Sequence, residues 1–150
     1  ELDAFKRHLG EVFSAHVKRD WEPEEGERIE DDLLIRPDKN PNTAKARELF
    51  DTGDPAYHDG TDLVLVWGEG YDFARIPPQA KIIFLNSYLR PENGHADVFL
   101  PISIQTERAG HYTNFQGVVS RFEPCFPKGD AVLDAEALFK ALAAPARGHP

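Results

Sequence analysis

Methionine is absent from the 150 residues, cysteine occurs once, and 17 Lys+Arg face 26 Asp+Glu. Each shortage excludes something. A single thiol, Cys125, makes no internal disulfide and cannot by itself hold an iron–sulfur cluster. Set between Pro124 and Phe126, it reads as a small buried hydrophobe, not an activated nucleophile. The net charge of −9 repels phosphate backbones and anionic head groups, so neither nucleic acid nor a membrane surface is an expected partner. No apolar run approaches the roughly 18 residues of a membrane span, so direct membrane insertion is not expected. With no initiator methionine, the chain is expected to be a piece of a longer polypeptide.

What is present suffices for one packed domain: 41% of the residues are hydrophobic. Leu2, Phe5, Leu9, Val12, Phe13, Val17 and Trp21 recur at helical steps and predict an amphipathic helix over residues 2–21, weakened at Gly10. Residues 20–32 then hold eight Asp/Glu against one Arg, with Pro23 and Gly26, which reads as a solvated linker. Residues 1–32 are thus an N-terminal helix and acidic linker, and residues 33–150 form the main lobe. Leu33-Leu34-Ile35 is a short extended segment closed by Pro37. Residues 38–43 carry turn chemistry, with Asn42 or Thr43 as N-cap of a short helix over 44–50. Residues 51–60 read as a polar loop.

Leu63-Val64-Leu65-Val66-Trp67 and Ile82-Ile83-Phe84-Leu85 are unbroken apolar runs. Without alternation, both faces must be covered, which predicts interior strands of a parallel sheet. Val98-Phe99-Leu100 is a third strand, closed by Pro101. The 68–81 connection, broken by Pro77-Pro78, leaves room for a helical turn or two. Residues 118–122 read as extended. Asp134 is the N-cap of a helix over 135–143 with Leu138, Phe139 and Leu142 inward, and 144–150 should fray. The fold class is α/β: a small, mainly parallel sheet flanked by helices, Rossmann-like in layering.

Familiar catalytic patterns fail on their residues. Gly68-Glu69-Gly70-Tyr71-Asp72-Phe73 follows a strand, but puts Phe where a dinucleotide fingerprint needs glycine and an acid where pyrophosphate would sit. It reads as a strand-end turn; Glu69 and Asp72 are a candidate carboxylate pair, though nothing in the sequence shows that they share a site. The histidines at 8, 16, 58, 95, 111 and 149 show no ligand spacing. No nucleophile elbow, Walker A loop or zincin motif occurs. Ala96-Asp97-Val98-Phe99-Leu100-Pro101 and Glu107-Arg108-Ala109-Gly110-His111-Tyr112-Thr113-Asn114-Phe115-Gln116-Gly117 stand out. Gly110 and Gly117 bracket a polar segment, which predicts a rigid loop in which Thr113 and Asn114 bond local backbone.

These two stretches resemble, without a gap over residues 96–117, a signature of the molybdopterin oxidoreductase superfamily (A-D-V-V-L-P, then E-x-x-G-T-[FY]-T-N-x-E-G-R-x-Q). The 38–43 turn is similar to a weaker family stretch, D-x-N-P-N. Within the superfamily the chain is most similar to the large iron–sulfur subunit of NADH:quinone oxidoreductase, respiratory complex I. That likeness implies the C-terminal part of a molybdopterin-oxidoreductase-like domain whose cofactor has generally been lost. The departures agree: the family's Glu, Arg and Gln are Gln116, Val118 and Ser120 here, and its Thr-Glu-Thr lead-in is Arg90-Pro91-Glu92-Asn93-Gly94-His95.

The resemblance therefore implies a structural piece of a peripheral arm on the cytoplasmic side of a bacterial inner membrane. Its partners would be the other subunits of the complex, and no catalytic residue or cofactor would lie in this piece. Iron–sulfur clusters would belong to the part of the parent that precedes it. One alternative is a fragment of an active molybdenum or tungsten bis-pterin oxidoreductase, such as a formate dehydrogenase, with Thr113, Asn114 and Gly117 near the pterin. Another is an acidic α/β adaptor that binds proteins.

Overall fold

The three apolar runs of the middle of the chain pair side by side. In the computed structural model, β3 (Leu63–Trp67), β4 (Lys81–Asn86) and β5 (Val98–Pro101) form a parallel sheet in the order β3-β4-β5, with Leu65 opposite Ile83 and Phe84 opposite Phe99. Residues 1–9, 16–17, 42–52, 57 and 60–144 are described, with backbone alone for 16–17 and 51–52.

Alternate side chains leave the sheet on opposite faces. Leu65, Trp67, Ile83, Leu85 and Leu100 pack with helices α1 (Leu2–Leu9) and α3 (Ala135–Leu142), around Phe5, Leu9 and Phe139. Phe139 meets Phe5 and Trp67 edge-on, with ring centroids at 5.2 and 4.9 Å. On the opposite face Val64, Val66, Ile82, Phe84 and Phe99 are covered by Tyr71, Phe73, Ile76 and Ala80 from the β3–β4 connection. That double coverage is what the unbroken apolar runs predicted. Both connections are short, with one 3₁₀ turn each, Phe73–Arg75 and Pro91–His95. Beyond β5 the sheet gains one parallel bridge, Ile102 to Leu133. The fold is α/β with a small parallel sheet, as expected.

Local signals place the C-terminal helix. The Asp134 carboxylate accepts the N–H groups of Glu136 and Ala137 at 3.0 and 3.2 Å, satisfying two orphan donors of α3. Ala135, Leu138 and Phe139 then fall on the buried face, while Leu142, expected inward, lies exposed one turn further on.

Three other expectations need correction. Of the helix predicted over 2–21, the described residues show α1 at Leu2–Leu9, whereas 16–17 instead form β1 (His16–Val17). It pairs in parallel with β2 (Asp51–Thr52), inside the stretch expected to be loop. Long-range pairing outweighs the helical periodicity there. Residues 110–113, expected as loop, form β6 (Gly110–Thr113), antiparallel to β7 (Val119–Phe122). The predicted helix over 44–50 is α2 (Thr43–Leu49). The acidic linker, the 33–35 segment, residues 38–41 and residues 145–150 lie outside the described residues.

Candidate functional site

The polar side chains of the 96–117 stretch turn back onto the chain itself. Asp97 stands at the entry of β5, where its Oδ2 accepts Ile82 N–H at 2.9 Å and its Oδ1 pairs with Lys81 Nζ at 2.8 Å. Its own N–H donates to the Ile82 carbonyl, so one residue clamps β5 to β4 on three sides. The carboxylate is held below its ordinary range by the Lys81 hydrogen bond first and the Ile82 N–H second. Glu107 Oε2 accepts Ile104 N–H at 3.2 Å, closing the 3₁₀ turn Gln105–Glu107.

Arg108 works between elements. Its Nη1 donates to the Ser103 carbonyl at 2.7 Å and lies 2.8 Å from Glu1 Oε1, tying the start of α1 to the end of β5. Burial pushes the Glu1 carboxyl up, and the Arg108 charge opposes the shift.

The β6–β7 hairpin then fixes Thr113, Asn114 and Gly117. Asn114 Oδ1 accepts the N–H groups of Gln116 and Val118, both at 2.9 Å. Asn114 N–H donates to the Val118 carbonyl, and Gly117 N–H to the Asn114 carbonyl. Gly117 has φ of +79°, a conformation natural to glycine. At Gly110 the constraint is space: a Cβ there would lie 2.7 Å from the Phe122 ring, which stacks on Tyr112. The expected rigid turn is present, built by Asn114 from its own loop.

Thr113 finds a partner that local sequence does not offer. Its N–H donates to Asn42 Oδ1 at 2.7 Å, and Asn42 N–H donates to the Thr113 carbonyl at 3.0 Å. Asn42 precedes α2 as a left-handed residue, φ 65°, and makes no side-chain cap to the helix. Asn42 is the N-cap residue, as expected, and its carbonyl accepts Ala46 N–H at 2.8 Å, but its carboxamide serves β6 instead of capping the helix. Two stretches singled out separately in the sequence meet at this pair.

Other candidates are scattered. Cys125 is exposed, not buried as expected; its N–H donates to the Thr106 carbonyl at 2.7 Å, leaving it on the outside of the chain after β7. His95 stacks on Phe73 with centroids 5.2 Å apart, and His111 is exposed on β6 opposite Arg121. Glu69 pairs with Arg90 at 3.4 Å, whereas Asp72 Oδ1 caps its own 3₁₀ turn through Ala74 N–H; the two are thus engaged separately. Among the described residues no cluster of three or more His, Cys, Asp or Glu is arranged to hold a metal ion, and no helix is long and apolar enough to cross a membrane.

Sequence reasoning missed the buried polar pair at the C-terminal ends of β4 and β5. Asn86 accepts the N–H groups of Ser87 and Tyr88. Ser103 is 1% exposed, and its hydroxyl has no partner among the described residues.

These observations define a small parallel α/β unit in which the side chains of Asn42, Asp97, Glu107, Arg108 and Asn114 bond its own backbone. No family model, curated protein or solved structure matches the chain.

Proposed function

We propose that this chain is a structural lobe: the C-terminal part of a degenerate molybdopterin-oxidoreductase-like domain, in the large iron–sulfur subunit of a proton-pumping NADH:quinone oxidoreductase. One observation carries the structural part of this reading. Asp97, Glu107 and Asn114, three polar residues of the resembling stretch, and Asn42 from the weaker one all direct side-chain oxygens to backbone N–H groups. A side chain so engaged orders a loop; it has little left with which to recognise a ligand. Thr113 and Gly117, which also match the signature, contribute a backbone contact and a turn.

In this reading electrons pass through iron–sulfur clusters elsewhere in the parent, and the lobe stiffens a peripheral arm and contacts neighbouring subunits on the cytoplasmic side of a bacterial inner membrane. The acidic net charge of −9 supports protein neighbours over nucleic acid.

Metal analysis of the intact parent is the test. Iron and acid-labile sulfide in stoichiometric amounts, with molybdenum and tungsten at background, is the expected result. Stoichiometric molybdenum or tungsten would overturn the degenerate-domain reading in favour of an active bis-pterin enzyme. A parent without iron–sulfur clusters that serves as a protein-binding adaptor would overturn both.

A further inference from the structure

The loop that leaves β4 holds the one asparagine of the chain that is followed by glycine, Asn93-Gly94. An asparagine carboxamide can be attacked by the backbone nitrogen of the next residue, and glycine, with no Cβ, hinders that approach least. The other asparagines are poorly placed for it. Asn40 precedes Pro41, whose nitrogen carries no hydrogen, Asn42 precedes the β-branched Thr43, and Asn114 precedes the bulky Phe115. Asn86 precedes Ser87 but is 4% exposed, and its Oδ1 accepts the Ser87 N–H itself at 2.6 Å. Gly94, by contrast, is exposed, and nothing lies within 4 Å of where a Cβ would stand.

The same carboxamide holds the loop together. Asn93 lies in the 3₁₀ turn Pro91–His95, where its Oδ1 accepts Arg90 N–H at 3.3 Å and its Nδ2 donates to the Tyr88 carbonyl at 3.2 Å. Its own N–H donates to the Arg90 carbonyl, and its carbonyl accepts Ala96 N–H. Both side-chain partners precede Asn93 in the chain, whereas the attacking nitrogen follows it. The turn also directs each N–H to the carbonyl three residues back. Bringing Cγ onto the Gly94 nitrogen therefore requires the side chain to leave its partners and the turn to open.

We propose that Asn93-Gly94 is a self-modification site, at which Asn93 is converted to aspartate and isoaspartate at a rate set by opening of the Pro91–His95 turn. The Gly94 nitrogen gives its proton to hydroxide and bonds to Asn93 Cγ; the Cγ–Nδ2 bond breaks and ammonia leaves. The cyclic imide so formed takes up a water molecule at either carbonyl. The net change is water in and ammonia out, with nothing oxidised or reduced. The products do not restore the loop. Aspartate at 93 keeps an acceptor for Arg90 N–H but turns a second oxygen toward the Tyr88 carbonyl, where the Nδ2 donor stood. It also adds a negative charge beside Glu92. Isoaspartate inserts a methylene into the backbone of the turn. Either product leaves the loop looser than before.

The test incubates the intact parent in mildly alkaline buffer and follows Asn93 by peptide mapping, mass spectrometry and isoaspartate detection. Asn93 should convert while Asn40, Asn42, Asn86 and Asn114 stay intact. Held unfolded in guanidinium chloride at the same pH and temperature, the protein should convert at 93 about tenfold faster, because the reaction no longer waits for local opening. Pro91→Ala releases the φ that proline fixes at the start of the turn and should speed conversion in the folded protein. Gly94→Ala should slow it in both states. Asn93→Asp, which carries one product, should raise amide hydrogen exchange over 88–96 severalfold and leave 110–122 unchanged. Far-UV circular dichroism checks that each variant is folded. An Asn93 that survives in the folded protein as long as Asn86 does would overturn the site. Equal rates in folded and unfolded protein, no acceleration by Pro91→Ala, or wild-type exchange in Asn93→Asp would overturn its coupling to the loop.

Discussion

Asn42 and Thr113, 71 residues apart in sequence, exchange two hydrogen bonds, so the residue that opens α2 also fastens β6. An asparagine in the left-handed region does two jobs there: it tolerates the backbone and supplies the acceptor. Asn42→Ala loses both and should cost about 1–3 kcal/mol, much of it from leaving the half-buried Thr113 N–H unpaired. Asn42→Gly relieves the backbone alone and should recover only part of the loss. Urea unfolding midpoints of the two variants separate the contributions, and an unchanged midpoint for Asn42→Ala would show that the pair does not hold the hairpin.

Gly110 and Gly117 bracket the same hairpin for different physical reasons, and substitution should tell them apart. Gly110→Ala drives a methyl group into the Phe122 ring and should cost about 1–3 kcal/mol. Trimming the ring in Gly110→Ala/Phe122→Leu should restore part of that cost, a coupling that a double-mutant cycle measures. Nothing lies within 4 Å of a Cβ at Gly117, so Gly117→Ala costs only its positive φ, about 1 kcal/mol. Trimming Phe122 should not rescue it.

Acid should loosen the β4–β5 junction. The folded-state pKa of Asp97 lies below the ordinary 3.8, so its ionised form stabilises the fold above that pH. The contribution is lost as pH falls below 3.8 toward the lowered value. Lys81 gives the mirror behaviour: held above 10.5, its contribution is complete below that pH and lost as pH rises past it. Asp97→Asn offers Ile82 N–H an acceptor without the titrating charge. Circular dichroism against pH should therefore show a flatter acid limb for Asp97→Asn than for the wild type. Identical acid limbs would mean that the pair is silent in solution, as many exposed pairs are.

The Ser103 hydroxyl offers a prediction of the opposite sign. Its Oγ is buried without a partner among the described residues, so removing it deletes a desolvated polar atom and opens only a small space. Ser103→Ala should leave thermal stability unchanged or raise it by up to about 1 kcal/mol. A clear loss of stability would show that the hydroxyl is satisfied in solution.

Much of the architecture was legible without coordinates. Strands at 63–67, 81–86 and 98–101 coincide with the apolar runs, because a strand covered on both faces can be recognised from its own residues. The Asp134 cap and the buried Leu138 and Phe139 of α3 were likewise written locally, in one capping residue and one helical stripe. The turn at Asn114 and Gly117 belongs with them, since an asparagine and a glycine build it from adjacent backbone.

Tertiary structure decided what depends on a distant partner. Gly110–Thr113 carries no strand pattern of its own and becomes β6 through pairing with β7. His16–Val17 lies in a stretch of helical periodicity and pairs instead with Asp51–Thr52. Asn42 had two donors open to it, a local helix N–H and the remote Thr113 N–H; the remote one takes it. Cys125 and Leu142, apolar by type and expected inside, are exposed. Sequence periodicity reports the free energy a segment gains from its own residues. The choice among distant partners is made by which backbone groups the packed sheet and helices bring together, and no local pattern encodes that.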